Sequence, residues 1–138
     1  MDIENSPACV ELKIPSRPEY VGVARLAILG VASRMRFSYD DVEDVRLAVG
    51  EACTTSVDWA HRNNCLDTQI TLISIISSEK LIVEVIDQSG PRNSDQLVEN
   101  SEPENIGALL VTLLVDEVEV TADDTGTRVK MVKYARQR

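Results

Sequence analysis

Glu51 lies in the run Arg46–His61, whose apolar positions recur at helical spacing. Thr55 follows four residues later and Asp58 three after that, so the three share one stripe of the helix. A carboxylate on such a stripe can take a proton from a hydroxyl nucleophile while a metal-bound phosphate waits beside it. The same spacing also fits a solvated helix face, and both readings stand on the spacing alone. Asp87 closes the apolar run Leu81–Asp87 and precedes Gln-Ser-Gly-Pro. There it can accept from an amino group such as adenine N6, which separates adenine from guanine, or simply cap a turn. Gly107, in Asn105-Ile-Gly107, stands where a third helix is expected to open. Free N–H groups at a helix start suit phosphate, and glycine permits close approach; a packing role fits it equally well. Thr125-Gly-Thr127 reads first as a hairpin turn and second as a ligand contact. The single His61 has no Ser or Asp at a triad's spacing, so a hydrolase is unsupported.

These groups need elements to hold them. Residues 9–14 alternate and read as an edge strand. Ser16-Arg-Pro-Glu19 fits a capping box with Pro18 near the first turn, which predicts a helix from about Pro18 to Met35. Ser38-Tyr-Asp-Asp41 reads as a second helix start, with its acids where the dipole favours them, and that helix runs from about Asp40 to Arg62. Cys53 and Trp59 fall on it as core residues, Trp59 equally as an interface aromatic. Residues 68–76 and Leu81–Asp87 form a hairpin through Ser77–Lys80. Residues 88–104 read as a mobile loop. A third helix, about Ile106 to Val115, is nearly all apolar and is expected to be buried on most sides. Glu117–Thr121 and Thr127–Tyr134 make a second hairpin. The order β-α-α-β-β-α-β-β gives an α+β two-layer sandwich.

A chain of 138 residues fits a single domain, 1–138, with a core that needs no disulfide or metal. There is no run of 18 apolar residues, so no membrane span is expected. The acidic start Met1-Asp-Ile-Glu-Asn has the wrong chemistry for a signal peptide. Three cysteines without metal-ligand spacing fit a reducing cytosol. A net charge of −9 argues against a nucleic-acid surface. It permits a basic protein partner, although acidity mostly keeps a protein soluble.

The stretches Pro18–Met35, Tyr39–Asp44, Ala48–Thr54, Thr112–Val118 and Gly126–Tyr134 resemble the anti-sigma-B factor serine-protein kinases, over nearly the whole chain. The resemblance implies the Bergerat (GHKL, histidine-kinase-like ATPase) fold, with a mixed, mostly antiparallel sheet and helices on one face. It implies a cytoplasmic homodimer that sequesters an alternative, stress-response sigma factor. It further implies use of Mg-ATP to phosphorylate a serine of a STAS-type anti-anti-sigma protein. By position, Glu51 is the general base and Asp87 holds the adenine amino group. Gly90 belongs to the glycine motif after that aspartate, Gly107 to the second glycine motif beside the phosphates, and Thr127 lies near the adenine. Thr55 stands where the family has its magnesium-ligating Asn. Ser89 stands where the family has a glycine, and Pro103-Glu-Asn-Ile replaces a glycine-rich run before Gly107. Asp95, Glu99, Glu102 and Glu104 would oppose phosphate charge. These departures leave open an alternative: a catalytically degenerate binding module that sequesters its partners without phosphoryl transfer.

Overall fold

The computed structural model describes residues 7–91 and 103–135, with the side chains of 103–108 outside that description. The expected element order is found. Strand β1 spans Ala8–Pro15; helices α1 and α2 span Val21–Ala32 and Tyr39–Arg62. The hairpin β2–β3 takes Gln69–Ile76 and Lys80–Asp87. Helix α3 runs Pro103–Leu114, and the second hairpin β4–β5 takes Glu117–Ala122 and Thr127–Tyr134.

The five strands lie in the order β1-β2-β3-β5-β4. All four pairings are antiparallel, so the sheet is the antiparallel limit of the expected arrangement. Strand residues alternate between faces. Ile70, Leu72, Leu81, Val83, Val85 and Met131 point to the helices and join Ala24, Ile28, Val45, Val49, Cys53 and Val57 in one core. Each such aliphatic side chain contributes roughly 1.5–3 kcal/mol on burial. Register carries the site: Ile14 pairs with Ile70 and Ile70 with Asp87, so Asp87 ends a core-facing row. The core pattern of β3 therefore finishes on a carboxylate.

Helix α2 packs between α1 and α3. Its start is fixed as the sequence predicts: Ser38 Oγ accepts from Asp41 N at 3.0 Å, and Asp41 Oδ2 accepts from Ser38 N at 3.4 Å. This capping box satisfies two of the donors that a helix start leaves free. Behind it Lys133 of β5 is buried; its Nζ donates to the Leu114 carbonyl at 2.9 Å and stands 3.7 Å from Asp41 Oδ1 and 3.8 Å from Asp44 Oδ2. One ammonium thus joins the start of α2, the end of α3 and the last strand.

Two expectations are corrected. The Ser16–Glu19 capping box does not form: Arg17 is the cap residue and makes no side-chain cap bond, and Pro18–Tyr20 is a single 3-10 turn ahead of α1. The reason is local. Arg17 precedes a proline and is held extended at φ −136° and ψ 146°, while Ser16 N bonds to Thr68 O and so stays with the sheet. Helix α3 is also not buried on most sides. Val111 is buried, but Leu109 and Leu113 are 60% and 74% exposed; among the described residues α3 packs chiefly on α2 and β4, along one stripe. The loop expected over 88–104 falls largely on 92–102, outside the described residues.

Candidate functional site

The site begins with Asp87, which is 4% exposed at the end of β3. Its Oδ1 accepts from Ser89 N at 3.1 Å, from Ser89 Oγ at 2.6 Å and from Thr127 N at 3.1 Å. Its Oδ2 accepts from Ser56 Oγ of α2 at 2.5 Å. A buried carboxylate is tolerated when donors surround it, and here the donors come from α2, the turn after β3, and β5. The arrangement fixes the carboxylate in one orientation.

Thr127 stands beside it. The residue is 3% exposed, and its hydroxyl is buried with no hydrogen-bond partner among the described residues. An unmade hydrogen bond at a buried hydroxyl costs about 1–3 kcal/mol, which a polar ligand would recover. Gly126 clears the space. A Cβ there would lie 2.0 Å from the Asp87 carbonyl oxygen and 2.9 Å from Oδ1, so no larger residue fits without a shift. A hollow of about 320 Å³ opens at this point, lined by Asp87, Thr121, Asp123, Gly126, Thr127 and Arg128 among others.

Gly90 follows on the other side of Ser89. Its φ of +89° is a left-handed conformation that suits glycine. Its N–H donates to Thr125 O at 3.0 Å, closing the turn after β3 onto the β4–β5 turn. Asn63, just past the end of α2, donates to Ser89 O at 2.8 Å and to Pro91 O at 3.0 Å. Asn63 and Gly90 therefore pin the chain that leaves Asp87.

Helix α2 brings the other groups. Ser56 on its core face touches Asp87; Glu51 and Thr55 are half-buried on the flanking stripe, and Asp58 is exposed. Glu51 precedes Ser56 by five residues, about 7.5 Å along the axis. Cys53, between them, is fully buried; burial first, then the nearby charge of Asp87, pushes its thiol up to about 12 against the opposing pull of Arg25. At Gly50 a Cβ would meet Arg25 Nε at 2.5 Å, so α1 crosses α2 closely at this glycine.

Gly107 does not open α3. The helix starts at Pro103, a favoured first position since proline lacks the N–H a helix start leaves unused. Gly107 is its fifth residue, so its N–H is the first with a partner inside the helix. Helix geometry leaves the amides of Glu104 and Asn105 without an intrahelical acceptor. Neither Glu51 nor Thr55 lines the hollow beside Asp87. The structure thus brings Asp87, Thr127 and the turn of Gly90 together, and sets α2 against both Asp87 and α3.

Ser56 is a part of the site that sequence reasoning missed. Ser56 had a readable signal, a hydroxyl on a stripe otherwise made of Val49, Ala52, Cys53 and Val57.

Comparison with known proteins bears on this arrangement. Residues 14–133 match the profile of the histidine kinase-like ATPase domain. The serine-protein kinase RsbW of Bacillus licheniformis is 34% identical, over 91% of this chain and 84% of that one. Its counterpart in Bacillus velezensis is 37% identical over the same shares, and that of Bacillus subtilis 33% over 96% and 89%. The solved RsbU and RsbW domains of a Mycobacterium tuberculosis protein superpose with a TM-score of 0.70 at 12% identity, covering 91% of this chain and 31% of that one, which bears on fold alone. The histidine kinase domain of a blue-light activated kinase from Erythrobacter litoralis gives 0.60 at 25%, covering 87% and 61%.

Proposed function

The chain belongs to the RsbW serine-protein kinases of the histidine kinase-like ATPase family, and from that premise we propose that it is an anti-sigma factor controlled by its own kinase reaction. It holds an alternative sigma factor out of use, and it phosphorylates a serine on a STAS-type anti-anti-sigma antagonist. It works in the cytoplasm as a homodimer. Phosphate on the antagonist adds charge at the contact and breaks that complex.

One observation carries the nucleotide part: the buried, unpartnered Thr127 hydroxyl beside the fixed Asp87 carboxylate. Adenine offers an amino donor and a ring-nitrogen acceptor side by side. Asp87 accepts from the first and Thr127 donates to the second, whereas guanine presents an oxygen where the carboxylate needs a donor. Gly126 keeps the space between strand end and hairpin clear.

ATP is the phosphoryl donor, and this chain's residues orient the reaction. Glu51 takes the proton of the acceptor serine as its oxygen is phosphorylated. Magnesium held mainly by phosphates and waters needs only one or two protein oxygens, and the Thr55 hydroxyl is the one offered a turn beyond Glu51. The amides of Glu104 and Asn105 and the glycine Gly107 at the start of α3 would hold the phosphates.

The test pairs the protein with Mg-ATP and an anti-anti-sigma protein and follows phosphate on serine by mass spectrometry. Transfer is expected, and Glu51→Gln is expected to stop it while ATP binding and antagonist capture persist. Transfer at the original rate in that variant would remove Glu51 as the base. Absence of both transfer and calorimetric ATP binding would leave only partner sequestration.

A further inference from the structure

Helix α2 ends in a way that turns one side chain back toward the site. Asn64 takes the left-handed conformation, with φ +56°, which asparagine tolerates better than most residues. Its N–H reaches His61 O at 3.3 Å, and the N–H of Cys65 reaches Ala60 O at 2.8 Å. These two bonds close the helix as a Schellman motif. Asn63, just ahead of the left-handed step, is thereby held on the last turn, with its own N–H on Trp59 O at 3.0 Å.

The side chain of Asn63 leaves the helix for the turn after β3. Its Nδ2 donates to Ser89 O at 2.8 Å and to Pro91 O at 3.0 Å. Both partners are carbonyls, which can only accept, so the position calls for a donor and the amide nitrogen must face them. The amide also lies close against Gly90. A Cβ there would stand 3.0 Å from Nδ2, 3.2 Å from Cβ and 3.3 Å from Cγ of Asn63. Glycine at this position therefore serves the approach of Asn63 as well as the positive φ.

What Asn63 holds is the residue that holds Asp87. Ser89 is fully buried and gives both its N–H and its hydroxyl to Asp87 Oδ1, while its carbonyl takes the Asn63 amide. Ser56, about two turns earlier on the same helix, donates to the other carboxylate oxygen. The carboxylate is thus tied to α2 at two points, directly through Ser56 and by way of Ser89 through Asn63. Gly90 N on Thr125 O carries the clamp across to the hairpin turn that precedes Thr127.

We propose that Asn63 is a positioning residue for base recognition. By clamping the Ser89–Pro91 turn to the end of α2, it aims the Asp87 carboxylate at the amino group that separates adenine from guanine. It acts through Ser89 rather than by touching the base. The inference rests on the nucleotide reading above.

Calorimetry of ATP and GTP on the full chain tests it. Asn63→Ala is expected to weaken ATP binding about tenfold and GTP binding by no more than about twofold, because GTP gains nothing from a well-aimed carboxylate. In the phosphoryl-transfer assay the KM for ATP should rise by the same factor with kcat within about twofold, since only binding of the base is disturbed. Asn63→Asp keeps the shape but sets a carboxylate against two carbonyls, so it is expected to lose more than Asn63→Ala; a role in packing alone predicts the reverse. Ser89→Ala and the double variant Asn63→Ala with Ser89→Ala complete a cycle whose losses are expected to be less than additive. Circular dichroism confirms that each variant is folded. Equal loss of ATP and GTP, a milder effect of Asn63→Asp than of Asn63→Ala, or strictly additive losses would each overturn the proposal. A folded Asn63→Ala protein with wild-type ATP affinity overturns it alone and leaves the nucleotide reading in place. A wild-type protein that binds no ATP removes that reading and this inference together.

Discussion

Ser56 on α2 donates its hydroxyl proton to Oδ2 of Asp87 at 2.5 Å, with both side chains buried. The pair ties the middle of the longest helix to the end of β3. A hydrogen bond to a charged acceptor contributes about 1.5–3 kcal/mol. Ser56→Ala should lower unfolding stability by about that amount in urea titrations, since the carboxylate loses a donor and gains no water. It should also weaken ATP binding several-fold by calorimetry, because Asp87 loses the contact that fixes its orientation. Full retention of both would mean that the Ser89 and Thr127 donors suffice.

Gly126→Ala tests the space rather than the hydrogen bonds. The new methyl would lie 2.0 Å from backbone oxygen, and backbone cannot step aside as a flexible side chain can. Overpacking of this kind costs about 1–3 kcal/mol. The variant should unfold earlier in urea and bind ATP with a loss larger than that of Ser56→Ala. Near-normal affinity would show that the ligand does not use this hollow.

Lys133→Met removes the ammonium that faces Asp41, Asp44 and the Leu114 carbonyl. Breaking a buried ion pair from one side costs about 3–5 kcal/mol, because the remaining charge stays in the interior. Thermal unfolding should show the loss, and adding Asp41→Asn should recover part of it. A variant as stable as the wild type would show that Asp41 is compensated by its capping bonds to Ser38.

Cys53 sets a pH dependence. Its folded thiol is raised from 9.0 to about 12, chiefly by burial. Below pH 9 the thiol is protonated in both states and contributes no slope. Above pH 9 the unfolded chain releases a proton that the folded chain keeps, so stability falls as pH rises toward about 12. The fall is about 1.4 kcal/mol per pH unit. Urea titrations across this window should show a steeper decline for the wild type than for Cys53→Ala. Parallel slopes would mean the thiol is not insulated.

The local half of this architecture was legible in the sequence. The Ser38–Asp41 cap, both hairpins and the strand-ending carboxylate of Asp87 follow from spacing, turn chemistry and apolar runs, which act between near neighbours. What failed was decided by partners far away in the chain. Ser16 looks like a cap, but the ladder to Thr68 claims its backbone. Leu109 and Leu113 look like core, but no element among the described residues covers them. The resemblance pointed to Asp87 and Thr127, but only the fold shows that they touch, across forty residues, and that Ser56 completes the contact.

Those separations matter for how a newly made chain acquires its pocket. Ser56, Asp87 and Thr127 belong to segments that leave the ribosome in sequence, and Asp87 keeps an incomplete set of donors until β5 pairs with β3. Closing such distant loops is slow relative to winding helices. A nascent chain therefore carries formed helices before it has any means of gripping a nucleotide, and adding ATP should slow unfolding of the finished fold while leaving the refolding phases unchanged.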